Sequence, residues 1–260
     1  MIWTEERKPD CILVVDEKEQ KSGLERFIPG IIHDSELHAM HTARYEFATR
    51  YIRDKVVVDI ACGVGYGSAM MVKGKPQRIV GIDISPDAVE HARHHFAVPG
   101  LEFLCGSAEH IDSIRPIDLV ISFETIEHIH EYDEFLSRVA TNLKPGGKLI
   151  ISTPLRQNGT FGDKPANPFH VQEWSEPEFD LLLSRYFKTR EKFWQFVYKK
   201  FNYPGSRTIS QTVCRILYPS RFKAFEGYHV TQKAPHMSGV PITAGFVVVV
   251  CSDSKASSAR

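Results

Sequence analysis

The sequence predicts an α/β domain, a parallel sheet wound by helices on both faces, and three observations predict it. The run Val56-Val57-Val58-Asp59-Ile60 is β-branched and apolar apart from its acid, as a strand buried on both faces requires. It breaks at once into Ala61-Cys62-Gly63-Val64-Gly65-Tyr66-Gly67, where glycines permit a tight turn that opens a helix and let the backbone approach a ligand closely. Downstream, short apolar runs alternate with helical stretches, and strands alternating with helices pair in parallel.

Composition narrows the function classes. With 260 residues, 42% hydrophobic and 25% charged, the chain can bury one full core, so residues 1–260 read as one decorated domain. A formal net charge of zero argues against a strongly electrostatic nucleic-acid partner, leaving only a local basic patch open. The five cysteines, Cys11, Cys62, Cys105, Cys214 and Cys251, are odd in number and form no CxxC pair, which fits reduced thiols in a cytosol. Glu5, Glu6, Arg7, Lys8 and Pro9 make no signal peptide, and the longest apolar run, around 246–251, is far short of a membrane span. A cytoplasmic protein is expected.

Taken in order, residues 1–34 read as an N-terminal arm with a short apolar patch at 11–15. From Ser35, Leu37, Met40, His41, Tyr45, Ala48 and Ile52 recur at helical spacing, with Asp34 or Ser35 as N-cap. This helix runs straight into the Val56 strand, so one face can lie beside the glycine turn. Residues 66–72 form the first crossover helix, and 78–83 a second buried strand ending in Asp83, at the separation of one strand-helix-strand unit. Ser85-Pro86 caps a helix to about Phe96. Strands follow at 101–104, 117–122 and 148–152, the last after a turn at 144–147, and the stripe Phe135, Leu136, Val139, Leu143 marks a helix over 131–143. Beyond a Gly/Pro/Asn-rich loop at 154–167 come a helix at 176–186 and a strand near 191–197. Residues 198–244 are too long for a structureless connection and read as an inserted lid or substrate-facing subdomain. The run 245–251 is the final strand, and 252–260 reads as a disordered tail.

The glycine spacing is GxGxG, not the GxGxxG of dinucleotide binders, and Asp59 precedes it, which favours a ligand without pyrophosphate. Four motifs in order, Asp59-Ile60-Ala61-Cys62-Gly63-Val64-Gly65-Tyr66-Gly67, Gly81-Ile82-Asp83-Ile84-Ser85, Asp118-Leu119-Val120-Ile121-Ser122 and Leu143-Lys144-Pro145-Gly146-Gly147, resemble those of class I S-adenosylmethionine-dependent methyltransferases. The resemblance covers about residues 35–195. It implies a Rossmann-like, seven-stranded sheet in the order 3-2-1-4-5-7-6, with the 245–251 strand antiparallel beside strand five. Within that superfamily, Glu25-Arg26-Phe27, the 41–45 segment, Phe123-Glu124-Thr125-Ile126-Glu127-His128 and Asn167-Pro168-Phe169-His170-Val171 resemble bacterial small-molecule enzymes that modify sugars and glycans.

S-adenosylmethionine carries a ribose diol, an adenine, a zwitterionic methionine end and a sulfonium, and becomes S-adenosylhomocysteine on reaction. It needs a carboxylate acceptor, an apolar slot and a cation, and each has a candidate. Asp83 is placed to accept the ribose hydroxyls and Ile84 to lie against the adenine. The Gly63 and Gly65 backbone faces the methionine portion, whose carboxylate Arg44 with Tyr45 could hold. Asp59, Ala61, Phe123 and Glu124 complete the set; Ala61 stands where the family has its first glycine. In the turn Gly106-Ser107-Ala108-Glu109, Ser107 stands where an acid to the adenine amine is usual.

Methyl transfer from a sulfonium is an in-line displacement that leaves positioning, desolvation and proton removal to the protein. For a hydroxyl acceptor the candidate general bases are His128, after strand four, and His170, after strand five, both at the carboxyl edge of the sheet. Either could instead serve structure, His128 by orienting its loop and His170 by capping the chain near Trp174. Glu124, Glu127, His128 and His130 match no strong metal spacing, and no metal is expected. Phe193-Trp194-Gln195-Phe196 reads as sheet core, and Tyr198, Phe201, Tyr203 and Tyr218 as lid residues. The expected activity is O-methylation of a sugar, nucleotide-sugar or related small hydroxylated acceptor. The alternatives are N-methylation of a similar molecule and a non-catalytic cofactor-binding module; the GxGxG spacing disfavours a nicotinamide-dependent dehydrogenase. The oligomeric state is left open.

Overall fold

The computed structural model describes residues 35–156, 165, 167–197, 230–232 and 243–256. Among them lie helices α1 (Ser35–Ala48), α2 (Tyr66–Met71), α3 (Pro86–Phe96), α4 (Tyr132–Asn142) and α5 (Glu176–Ser184). The strands are β1 (Val56–Ile60), β2 (Arg78–Asp83), β3 (Leu101–Cys105), β4 (Ile117–Phe123), β5 (Leu143–Pro154), β6 (Phe187–Val197), β7 (Val230–Thr231) and β8 (Thr243–Ser254). The sheet order is β3-β2-β1-β4-β5-β8-β6-β7. Strands β1 to β5 run parallel, and β8 lies antiparallel between β5 and β6. That is the expected order and direction with one addition, β7, which pairs with Trp194 and Gln195 at the outer edge. No helix among the described residues is long and apolar enough to cross a membrane.

The strand alternation fills two cores. Val58, Ile60, Val80, Ile82, Val120, Leu149 and Ile151 face Phe135, Leu136 and Val139 of α4 and Phe179, Leu182 and Leu183 of α5. On the other face, Val57, Ile79, Leu119, Ile121, Ile150 and Val248 pack with Tyr45 and Ala48 of α1, Met71 of α2 and Val89 and Ala92 of α3. Each fully buried Val, Leu or Ile stabilises by roughly 1.5 to 3 kcal/mol, so both faces need their helices. Ser85 caps α3 as read, its Oγ accepting from Ala88 N at 3.3 Å.

Three boundaries are corrected. The turn expected at 144–147 is a bulge within β5: Ile117 pairs with Leu143, and the register resumes at Leu119 with Lys148. Gly146, at φ +78°, supplies the left-handed residue, and Lys144 is held by an ion pair to Asp118 on the neighbouring strand. Strand β6 begins at Phe187, which is fully buried, and not near 191. The tail expected from 252 remains in β8 to Ser254, whose buried hydroxyl donates to Ala140 O at 2.7 Å; Lys255 N then donates to Tyr186 O at 2.9 Å. The arm 1–34, the lid apart from 230–232 and 243–244, with Tyr198, Phe201, Tyr203 and Tyr218, and residues 257–260 lie outside the described residues.

Candidate active site

The end of β1 sets the site. Ala61, Gly63 and Gly65 take φ of +60°, +56° and +84°, so the turn is left-handed three times, and the alanine carries strain that a glycine would not. A Cβ on Gly65 would meet Ala92 Cβ at 2.6 Å and Phe103 at 2.8 Å, whereas one on Gly63 would meet nothing within 4 Å. Gly65 is therefore required for packing, and Gly63 presents open backbone. Asp83 ties this turn to the next: its Oδ2 accepts from Gly63 N at 2.8 Å and its Oδ1 from Ser85 N at 2.9 Å. Beside it Ile84 is 71% exposed, an apolar side chain on the open edge of the sheet.

Asp59 is fully buried behind the turn, where Ser68 Oγ donates to its Oδ2 at 2.5 Å. Burial pushes this carboxyl up to about 7 against the opposing hydrogen bonds of Ser68 and Tyr45. Tyr45, expected with Arg44 at the methionine carboxylate, hydrogen-bonds Asp59. Its ring lies on Gly67, where a Cβ would meet it at 2.1 Å, and stands edge-on to Phe123 at 5.2 Å and Tyr66 at 5.9 Å. Phe123 is buried in the same cluster, so the structure places both aromatics in packing beneath the turn.

Arg44 is completely buried, the opposite of an exposed helix cation. Its Nη1 donates to Gln195 Oε1 at 2.7 Å and lies 4.0 Å from Glu124 Oε1, and its guanidinium carbon is 4.9 Å from the Phe246 ring centroid. Gln195 is held in turn by donating Nε2–H to Met40 O at 3.0 Å. Among the described residues, Arg44 Nε and Nη2 meet no hydrogen-bond partner. His41, on the same helix, is pushed down to about 3 by burial and then by Arg44, so it adds no charge at neutral pH. Glu124, at φ +50°, is clamped by Ser152: the hydroxyl donates to Oε1 at 2.8 Å and accepts from Glu124 N at 3.3 Å.

The turn after β3 is held by its own side chains. Ser107 Oγ accepts from Glu109 N at 3.4 Å and caps the 3-10 turn Ala108–Ser113, with Ser107 and Glu109 exposed. Gly106 N donates to Asp83 O at 2.9 Å, which brings this turn beside Asp83. The His110 ring covers Gly106 so closely that a Cβ there would meet it at 2.2 Å.

On the other side of the site the structure brings His128 and His170 together, their rings edge-on with centroids 5.0 Å apart. His128 Nδ1 lies 3.0 Å from Phe169 O; a carbonyl only accepts, so Nδ1 carries the proton and Nε2 is the basic nitrogen. His170 Nδ1 lies 2.7 Å from Glu173 Oε1, and its Nε2 lies 3.1 Å from Asn167 Nδ2, whose Oδ1 accepts from Phe169 N at 3.0 Å. Both His170 nitrogens are thus engaged within its own loop. Glu127, a neighbour without an assigned role in the sequence, is fully buried; its carbonyl accepts from Val171 N at 2.7 Å and Gln172 N at 3.3 Å. Burial, and then Glu124, hold its carboxyl well above the usual carboxylate range. Glu127, His128 and His170 are the group among the described residues that could hold a metal ion, one donor atom of each lying within 4.8 Å of the others. The sequence concealed this group because His170 comes from a distant loop, and likewise concealed Gln195, which read as core.

A methyltransferase-domain family model matches residues 53–177. A probable S-adenosylmethionine-dependent methyltransferase of Mycolicibacterium smegmatis is 30% identical over 161 residues, 61% of this chain and 62% of that protein. The mitochondrial ubiquinone biosynthesis O-methyltransferase of Schizosaccharomyces pombe is 31% identical over 128 residues, 45% of this chain and 46% of that protein. The matches thus span less than two thirds of either relative's length. The Burkholderia thailandensis 1,6-didemethyltoxoflavin-N1-methyltransferase, solved with 1,6-didemethyltoxoflavin and S-adenosylhomocysteine, shares the fold at TM-score 0.53 and 18% identity, over 83% of this chain and 79% of that one. The ordered motifs, the sheet order, the glycine turn and the methyltransferase-domain match at 53–177 support the class I S-adenosylmethionine-dependent methyltransferase superfamily.

Proposed function

We propose that this protein transfers a methyl group from S-adenosylmethionine to a hydroxyl of a small acceptor, a sugar, nucleotide-sugar or related glycan metabolite. The observation that carries the cofactor reading is the buried guanidinium of Arg44, whose Nε and Nη2 have no hydrogen-bond partner among the described residues, next in the chain to Tyr45, whose ring packs on Gly67. Two parallel N–H groups on a buried cation fit the methionine carboxylate. At the other end, Asp83 joins the glycine turn to the start of the next helix by accepting from Gly63 N and Ser85 N, and in this reading its carboxylate takes the ribose hydroxyls. Ile84 offers its exposed face to the adenine.

The bound donor supplies an electrophilic methyl on a sulfonium. The chain's own residues then orient the acceptor and take its proton. His128 is the base in this reading, through Nε2, because Phe169 holds the proton on Nδ1. His170, engaged by Glu173 and Asn167, positions the loop, which departs from the even choice that the sequence leaves. The carbohydrate class rests on the resemblance of segments 123–128 and 167–171. Their mutual hydrogen bonds, His128 to Phe169 and Val171 to Glu127, are consistent with the two forming one wall of an acceptor site. The oxygen preference is supported by the O-methyltransferase named among the relatives. Incubation with isotopically labelled donor and a panel of sugars, nucleotide-sugars and small amines tests it: a labelled O-methyl sugar is the expected product, and label found only on nitrogen replaces this reading with the N-methyl alternative.

A further inference from the structure

We infer that Gln195 is a positioning residue that leaves Nε and Nη2 of the buried Arg44 guanidinium to a carboxylate, and so determines whether the methionine end of the cofactor is recognised. This rests on the assignment of Arg44 to that carboxylate. A guanidinium is a planar fork of five donors, in which the Nε–H and one Nη2–H lie side by side and match the two oxygens of a carboxylate. These are the two nitrogens of Arg44 without a hydrogen-bond partner among the described residues, while Nη1, on the far side of the fork, is taken by Gln195.

The choice of partner for Nη1 matters because an acid competes for it. Glu124 Oε1 stands 4.0 Å from Nη1, just beyond hydrogen-bond reach, with its oxygen occupied by the Ser152 hydroxyl. Gln195 Oε1 holds the same nitrogen at 2.7 Å. Its amide is itself fixed by donation to Met40 O, one helical turn before Arg44, so strand β6 and helix α1 set the guanidinium plane together. Without that contact the cation closes its existing 4.0 Å ion pair with Glu124 into a direct hydrogen-bonded one, turning Nε and Nη2 away from the ligand. A neutral amide is suited to this work: it satisfies one N–H without cancelling the charge that the carboxylate must meet. Phe246, facing the guanidinium at 4.9 Å, completes the support from β8.

The test compares two ligands that differ at the methionine end. S-adenosylhomocysteine has the amino-acid portion, and 5′-methylthioadenosine lacks it. In calorimetric titrations, Gln195→Leu is expected to weaken S-adenosylhomocysteine about tenfold and to leave 5′-methylthioadenosine within twofold. Adding Glu124→Gln is expected to recover much of the loss, because the competing acid is gone. Gln195→Met, which keeps the length of the side chain, is measured in parallel in case the leucine variant does not fold. Equal losses for both ligands, or no loss for S-adenosylhomocysteine, overturn the inference. Arg44→Met separates it from the reading beneath: if that variant binds the two ligands in the wild-type ratio, the carboxylate assignment of Arg44 fails, whereas a selective loss in Arg44→Met with none in Gln195→Leu removes only the role of Gln195.

Discussion

Asp83 accepts the backbone N–H of Gly63 at 2.8 Å, so the carboxylate proposed for the ribose also holds the glycine turn in place. Replacing it therefore does two things. Asp83→Ala is expected to weaken S-adenosylhomocysteine binding by about 1.5 to 3 kcal/mol, the scale of hydrogen bonds to a charged group, and to lower the melting temperature because Gly63 N and Ser85 N both lose an acceptor. Asp83→Asn keeps one acceptor oxygen and should lose less of each. Calorimetric titration with thermal denaturation checks both, and wild-type affinity in the alanine variant would remove Asp83 from the ribose site.

Asp59 gives the ligand-free protein a pH-dependent stability. Burial raises its folded pKa from 3.8 to about 7, so folding takes up a proton between these values. For a raised acid the contribution is full below the unfolded pKa, declines as pH rises from about 4 to about 7, and then levels off. At about 1.4 kcal/mol per pH unit the loss is of the order of a few kcal/mol. Asp59→Asn, whose amide oxygen can still accept from Ser68, should flatten this decline and unfold at higher urea than wild type at pH 8. Urea melts of both proteins at pH 4.5, 6 and 8 decide, and parallel curves reject the assignment.

Ala61 is a residue in the left-handed region at an exposed position where no side-chain packing would be lost. Ala61→Gly removes the Cβ clash at some cost in unfolded-chain entropy, for a net gain of about 0.5 to 1 kcal/mol. Chemical denaturation should show the midpoint move up with an unchanged slope. A lower midpoint would mean that the alanine conformation is not strained.

The two histidines should separate kinetically. If the acceptor is a hydroxyl, His128→Ala lowers turnover by about 10²- to 10⁴-fold with cofactor affinity nearly intact. His170→Ala, which frees Glu173 and Asn167 in the loop, acts mainly through the acceptor KM. Steady-state kinetics of both variants at saturating donor check this, and near-normal turnover in His128→Ala removes histidine base catalysis.

The sequence by itself determined the parallel half of the sheet, the glycine turn and the acid that ends β2, because each is written within a few neighbouring residues. A strand buried on both faces reads as an unbroken Val/Ile run, and a serine before a proline reads as a helix start, as Val56–Ile60 and Ser85 show. The bulge at 144–147 could not be distinguished from a turn, since glycine and proline serve both and only the pairing of Ile117 with Leu143 tells them apart. The tertiary structure alone decided what the polar side chains meet. Arg44 and Gln195 are 151 positions apart, His128 finds its acceptor 41 positions on, and the Tyr45 ring packs on Gly67. Local patterns report the period of burial along an element, while the partner of a buried charge is chosen by which strands the fold sets side by side, here β6 and β8 against α1.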